Sequence, residues 1–160
     1  MVSPEGLVVK SLTEYDPGVA ARLGQLVSEV NPNDEGAAVS EDLLRDIINS
    51  PDRDQLIAEL HGQIVGKAVV NLLVHDRKRK AYLDYFASAP SVRGQGVGYA
   101  IWRAACAWSI ERGAVQLNWT TDNPEAIPFY LRQGAIIRPT TFFDRRFSPE
   151  ELRSGGIVEA

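Results

Sequence analysis

The chain has 160 residues, 44% hydrophobic and 24% charged, with a formal net charge of −4. That length suits one domain with a real core, the composition favours neither disorder nor a membrane role, and the acidic balance argues against a nucleic-acid partner while suiting a cationic small substrate. No run approaches the ~18 apolar residues of a spanning helix, and Met1-Val2-Ser3-Pro4-Glu5 lacks a basic region followed by an apolar one, so the chain reads as cytoplasmic with no membrane partner.

Leu7-Val8-Val9-Lys10-Ser11-Leu12 reads as a first strand. Asp16-Pro17-Gly18 leads into a helix with Val19, Leu23, Leu26, Val27 and Val30 at helical spacing, and Asn31-Pro32-Asn33-Asp34-Glu35-Gly36 breaks it. Ser40 caps a second helix, with Glu41 and Asp42 in its first turn and Leu43, Leu44, Ile47 and Ile48 on its inner face, and Asn49-Ser50-Pro51-Asp52 ends it. Gln55 to Leu60, the turn at His61-Gly62-Gln63 and Ile64 to Val74 form a hairpin. Arg77-Lys78-Arg79-Lys80 is too short for a binding face and reads as a solvated hairpin tip. His61 and His75 have no ligand cluster beside them, so no metal site is expected.

Ala81-Tyr82-Leu83-Asp84-Tyr85-Phe86-Ala87 is a strand in which Asp84 stands among apolar and aromatic neighbours. An acid there is costly unless partnered or functional, and both readings stand. Ser91-Val92-Arg93-Gly94-Gln95-Gly96-Val97-Gly98-Tyr99-Ala100 joins that strand to a helix in which Val97, Ile101, Ala104, Ala105 and Trp108 repeat until Gly113. Glycines at alternate positions leave the first amides of the helix free, and these carry the positive end of its dipole, a cradle for a phosphate or pyrophosphate to which Arg93 adds charge. A dinucleotide fingerprint needs a glycine where Tyr99 or Ile101 stands, and a Walker loop needs Ser or Thr where Ala68 follows Gly66-Lys67. Both fail. Cys106 has no disulfide partner and, inside this helix, reads as a small buried residue rather than a nucleophile.

Val115 to Thr120 forms the next strand, and the strand-helix-strand crossover makes it parallel to the Tyr82 strand. Asn123 caps a short helix with Pro124 first in it and Gly134 as its terminator. Ala135-Ile136-Ile137 and Thr140-Thr141-Phe142-Phe143 read as closing strands, Ser148-Pro149-Glu150-Glu151-Leu152 as a capped helical turn, and residues 154–160 as a loose tail.

Arg93-Gly94-Gln95-Gly96-Val97-Gly98 resembles the Arg/Gln-x-x-Gly-x-Gly/Ala pyrophosphate loop of the GNAT superfamily of acyl-CoA-dependent N-acetyltransferases. Residues 123–135 are similar to a second pattern of that superfamily, Asn-x-x-Ala-x-x-Phe-Tyr-x-x-x-Gly-Phe, with Ala135 in place of the final aromatic. Tyr82-Leu83-Asp84-Tyr85-Phe86 further resembles Tyr-Ile-Glu-Asp-Phe of its diamine N-acetyltransferase branch, with Asp84 at the glutamate.

The resemblance implies a mixed α/β fold over a single domain, residues 1–160: a mostly antiparallel sheet of six to seven strands with one parallel pair that splays apart, flanked by about four helices. It implies acetyl-CoA as acyl donor and no metal. Arg93, Gly94, Gln95, Gly96, Val97, Gly98 and Tyr99 then hold the pyrophosphate through amides from Gln95 to Tyr99, and Asn123 and Phe129 border the pantetheine arm. Amides near Ala87 and Ser88, at the superfamily's strand bulge, polarise the thioester carbonyl, and Phe86 is a further cofactor-binding residue. Tyr130 is the candidate acid for the leaving thiolate and Asp84 the candidate base for an amine whose pKa is about 10.4. Asp34, Glu35, Tyr82 and Asp84 face the acceptor. The implied reaction is direct attack by a primary amine in a ternary complex, without an acyl-enzyme. The acidic charge favours a small amine, and the acceptor classes are a polyamine, an amino-acid derivative, an antibiotic amine or a protein amine. The alternatives are an acyl-CoA sensor or regulatory domain without turnover, a protein N-acetyltransferase, and a nucleotide-binding protein. Homodimers are common in the superfamily, and no stretch of the sequence fixes an interface.

Overall fold

Five strands form one sheet in the order β1 (Leu7–Ser11), β2 (Arg53–Leu60), β3 (Gln63–Val74), β4 (Arg79–Ser88) and β5 (Ala114–Asn118). The structure is a computed structural model that describes residues 3–121, 123–141 and 143–155. Contacts divide it into two units, Met1–Thr120 and Thr121–Ala160.

In the first unit β1 to β4 pair antiparallel and β4 pairs parallel with β5. His61 and Gly62 connect β2 to β3 with φ of 50° and 80°, the paired positive values that match the twist of a two-residue hairpin. Three α-helices cover the sheet: α1 (Pro17–Val30), α2 (Glu41–Ile48) and α3 (Val97–Glu111). Asp16 and Ser40 cap the first two, accepting the amides of Val19 and Leu43. On one face Ile57 of β2 packs with Ala20, Leu23 and Leu44. On the other Leu56, Ala58, Ala68, Val70, Ala81 and Leu83 meet Val97, Ile101, Ala105 and Trp108 of α3. Arg77 and Lys78 are exposed between β3 and β4, and Arg79 and Lys80 open β4. Leu43, expected inside, is 62% exposed. The inner stripe of an eight-residue helix is narrow, and Leu44 takes it.

Gly24 sets how close α1 lies to the chain entering α2. A methyl there would stand 2.6 Å from the Ala37 carbonyl carbon and closer still to its oxygen, against backbone that cannot rotate away. Gly24→Ala is therefore expected to cost about 2 kcal/mol or more, read as a lowered urea midpoint with an unchanged slope. An unchanged midpoint would mean that α1 shifts without cost.

In the second unit a 3-10 turn at Pro124–Ala126 runs into α4 (Ile127–Arg132), and Gly134 follows in the left-handed region at φ 82°. The short α5 (Pro149–Ser154) starts with the capping box of Ser148 and Glu151, and buried Glu151 also pairs with Arg145 at 2.6 Å. Among the described residues the sheet has five strands and the chain five α-helices, against the expected six to seven and about four. The two closing strands are absent: residues 135–141 and Phe143 are irregular, with Ile136, Ile137 and Phe143 at 72%, 69% and 87% exposure, and Phe142 lies outside the described residues. Pro139 interrupts the run, and β-branched residues make a strand only where a neighbour supplies a ladder. Of the expected tail, residues 156–160 lie outside the described residues, while Ser154 closes α5.

Candidate active site

The link between β4 and α3 is built by local chemistry. After a 3-10 turn at Pro90–Val92, Gly94 and Gly96 take φ of 77° and 86°, and Gly96 is the N-cap of α3. No side chain caps this end. The amides of Val97, Gly98 and Tyr99 have no partner within the helix and point along the positive end of a 15-residue dipole. A Cβ added at Gly98 would meet only the Phe86 ring, 3.7 Å away, so a diphosphate-sized anion can approach this backbone closely. Arg93 is exposed beside it. The expectation that Gln95 adds a free amide is corrected: that N–H donates to the Val92 carbonyl at 3.2 Å, closing the turn that aims the next three.

β4 runs on toward this turn beyond the end of its partner strand. Pairing of β4 with β5 ends at Tyr82 and Asn118, and the Tyr82 hydroxyl lies 3.3 Å from the Thr120 hydroxyl, while β4 continues to Ser88. The bulge lies earlier than expected. Val69 pairs with Asp84 and Lys67 with Ala87, so Tyr85 and Phe86 together oppose Ala68, and Tyr85 takes φ 48°. Two residues must fit opposite one, and the left-handed turn at Tyr85 absorbs the excess. Ala87 and Ser88 are back in register with Lys67 and Gly66.

Asp84 is exposed, and its carboxylate accepts the Tyr85 amide at 2.9 Å. Among the described residues of the first unit the charged residue that the fold does bury is Lys67, which the sequence reading weighed only against a Walker loop. It is 4% exposed, its ammonium lies 5.6 Å from the Tyr85 ring centroid, and burial lowers its pKa from the ordinary 10.5 while Asp34 opposes the shift. The signal was present, a lysine inside the apolar run from Ile64 to Val70. Asp34 itself accepts the Gly36 amide at 2.7 Å, and Glu35 is exposed in the same connection. Tyr82 lines a cleft of about 510 Å³ with Asp52, Arg53 and Asn71, three further residues the sequence reading did not single out.

The Lys67 shift sets a pH dependence. Between the lowered folded value and 10.5 the unfolded chain binds the extra proton, so stability rises with pH across that interval and is least below it. Lys67→Met removes this penalty. The variant's stability advantage over wild type is expected to shrink as pH is raised from 7 toward 10.5, measured by urea unfolding at several pH values. A constant gap would mean that the ammonium is as well solvated in the fold as in the open chain.

In the second unit Asn123 accepts the Glu125 amide through its side chain at 3.0 Å, as a cap. Phe129 and Tyr130 are half-buried and packed edge to face, with ring centroids 5.3 Å apart. Burial pushes the Tyr130 phenol above its ordinary 10.0. Cys106 is half-buried in α3 with its thiol pushed up by burial, the opposite of what a nucleophile requires.

The model of the acetyltransferase (GNAT) family matches residues 22–135, from α1 through α4. The chain belongs to this family. Solved structures with the same fold include an aminoglycoside acetyltransferase from an uncultured soil metagenomic sample in complex with sisomicin, at 21% identity, TM-score 0.76, and coverage of 89% of this chain and 97% of that one. An acetyltransferase of Trypanosoma brucei aligns at 17% identity and TM-score 0.72, covering 88% and 99%. A transcriptional regulator of Bacillus halodurans C-125 aligns at 20% identity and TM-score 0.74, also covering 88% and 99%. No curated protein sequence matches the chain. Within this GNAT chain, the family match spans the glycine loop, the β4 bulge, Lys67 and the Phe129-Tyr130 pair. Among the described residues no helix is long and apolar enough to cross a membrane.

Proposed function

We propose that this GNAT chain acts as a single cytoplasmic domain that moves the acetyl group of acetyl-CoA to a primary amine of a small molecule by direct attack in a ternary complex. The observation that carries the reading is the uncapped N-terminus of α3, where Gly96 at φ 86° and the open backbone of Gly98 expose three amides close to the Phe86 ring of β4. That donor set fits a diphosphate. Arg93, Gly94, Gln95 and Tyr99 complete the cradle, and Asn123 and Phe129 border the pantetheine arm. When bound, acetyl-CoA supplies the thioester whose acyl carbon the amine attacks.

The chain's own groups do the rest. The backbone of Phe86 in the bulge, and of Ala87 and Ser88 just past it, polarises the thioester carbonyl. Asp84 is exposed enough to be reached by solvent and takes the proton of the incoming ammonium, directly or through water. Tyr130, whose raised pKa keeps its proton on, gives that proton to the departing sulfur. Asp34, Glu35 and Tyr82 border the acceptor. Small-molecule acceptors are supported by the sisomicin complex of the soil metagenome enzyme, which shares the fold.

Thiol release from acetyl-CoA, followed with a panel of small amines and a peptide amine, tests the reading. Release with a small amine supports it. Acetyl-CoA binding with no release for any amine would make the chain an acyl-CoA-binding regulator, and release with the peptide alone would make it a protein acetyltransferase.

A further inference from the structure

Ammonium groups are almost never fully buried without a partner, because removing the charge from water costs several kcal/mol that only close opposite charge and hydrogen bonds recover. Lys67 breaks that rule. It is 4% exposed, and among the described residues no carboxylate lies within ion-pair distance of it. The Tyr85 ring at 5.6 Å offers a cation–π contact, which at that range offsets only part of the desolvation. Asp34 acts on it from farther away. The fold thus maintains a positive centre that its own residues leave short of negative charge.

The register says where that centre lies. A Cβ on Gly66 would point into Ile101 and Val97 of α3, so Lys67, the next residue on β3, projects to the opposite face, the side on which its cross-strand partner Ile57 packs with α1 and α2. Val69, two residues along, shares that face and pairs with Asp84. Lys67 and Asp84 therefore share one side of the sheet, with the two bulged residues Tyr85 and Phe86 lying between Asp84 and Ala87, the cross-strand partner of Lys67. Asp34 approaches the same face from the connection between α1 and α2. One sheet face thus carries an ammonium deep in it and a solvent-reached carboxylate beside it.

We propose that Lys67 receives the carboxylate of the acceptor, so that the substrates of this chain are amines that also carry an acid group, the amino-acid class, rather than polyamines or polycationic sugars. The inference rests on the acetyltransferase reading above and names its acceptor. An amino acid lies across the face with its amine toward Asp84 and its carboxylate on the Lys67 ammonium, each end meeting opposite charge. A diamine or a polycation brings a second ammonium toward Lys67 and is repelled. A bound carboxylate attracts the Lys67 ammonium and so opposes the lowering that burial imposes on its pKa, as Asp34 does in the free chain.

Product analogues test this without turnover. With coenzyme A present, the full chain is titrated by calorimetry with N-acetylglycine, N-acetyl-β-alanine and N-acetyl-4-aminobutyrate, and with the neutral methyl amide of each. At least one acid is expected to bind about 10-fold or more tightly than its amide, and the difference is expected to vanish in Lys67→Met. Lys67→Gln gives the same readout should the methionine variant fold poorly. Acids binding no tighter than their amides in wild type, or discrimination that survives both substitutions, would overturn the proposal. Acid-selective binding lost with Lys67 but accompanied by no thiol release would retain the anion site and remove acetyl transfer. Thiol release without acid selectivity would do the reverse.

Discussion

Gly98→Glu is expected to abolish acetyl-CoA binding while leaving the fold intact or firmer. The position is in the first turn of α3, where an added Cβ meets the Phe86 ring at an ordinary 3.7 Å and no backbone, so the substitution carries no steric penalty. A carboxylate at a helix N-terminus contributes about 0.3–1 kcal/mol of stability by its interaction with the dipole, and replacing a helical glycine adds about as much again. The same carboxylate occupies the space in which a diphosphate would meet the amides of Val97, Gly98 and Tyr99, and it repels the phosphates. Affinity for acetyl-CoA is expected to fall by about 100-fold or more, measured by calorimetry, with the melting temperature unchanged or raised. Normal affinity in a folded variant would remove the glycine loop from the site.

Tyr130→Phe is expected to lower kcat by about 10²-fold or more with acetyl-CoA affinity retained, the size of effect that general acid catalysis produces. Burial holds the phenol's pKa above 10.0, so it keeps its proton over the range in which an alkyl amine, at about 10.4, begins to lose its own. Turnover in the wild type is therefore expected to rise with pH up to about 10 and to decline only beyond that. The alkaline decline should be missing from the phenylalanine variant. Thiol release over a pH series reads both quantities. Unchanged kcat would make Tyr130 a packing residue beside Phe129.

The site residues differ in how far they could be read from the chain. The uncapped start of α3 was legible because its parts are local: alternate glycines, an absent capping side chain and a helix long enough to carry a dipole all lie within a few residues. Asn123, Pro124 and Gly134 were legible for the same reason, since caps are made by neighbours in sequence. The rule that an ionisable residue in an apolar strand has a purpose was sound in physics but was applied to one strand of two. Asp84 came out exposed, where an acid is cheap, and Lys67 came out buried, where a charge is costly. Which of the two lies under cover depends on α1, α2 and the bulge, none of which the residues around Asp84 or Lys67 encode.

Periodicity and turn chemistry alone determined the order of elements from β1 to β5, the caps of α1 and α2, the parallel crossover through α3 and the uncapped glycine turn at its start, because each is decided by interactions spanning a few residues. Tertiary structure alone decided how many strands the sheet contains, where β4 bulges and which charge the sheet buries. A strand exists only if another lies beside it, as the unpaired residues 135–141 show, and a bulge is a mismatch between two strands rather than a property of either. Burial likewise belongs to the assembled layers: Lys67 acquires its lowered pKa only when the packed sheet face takes its ammonium out of water.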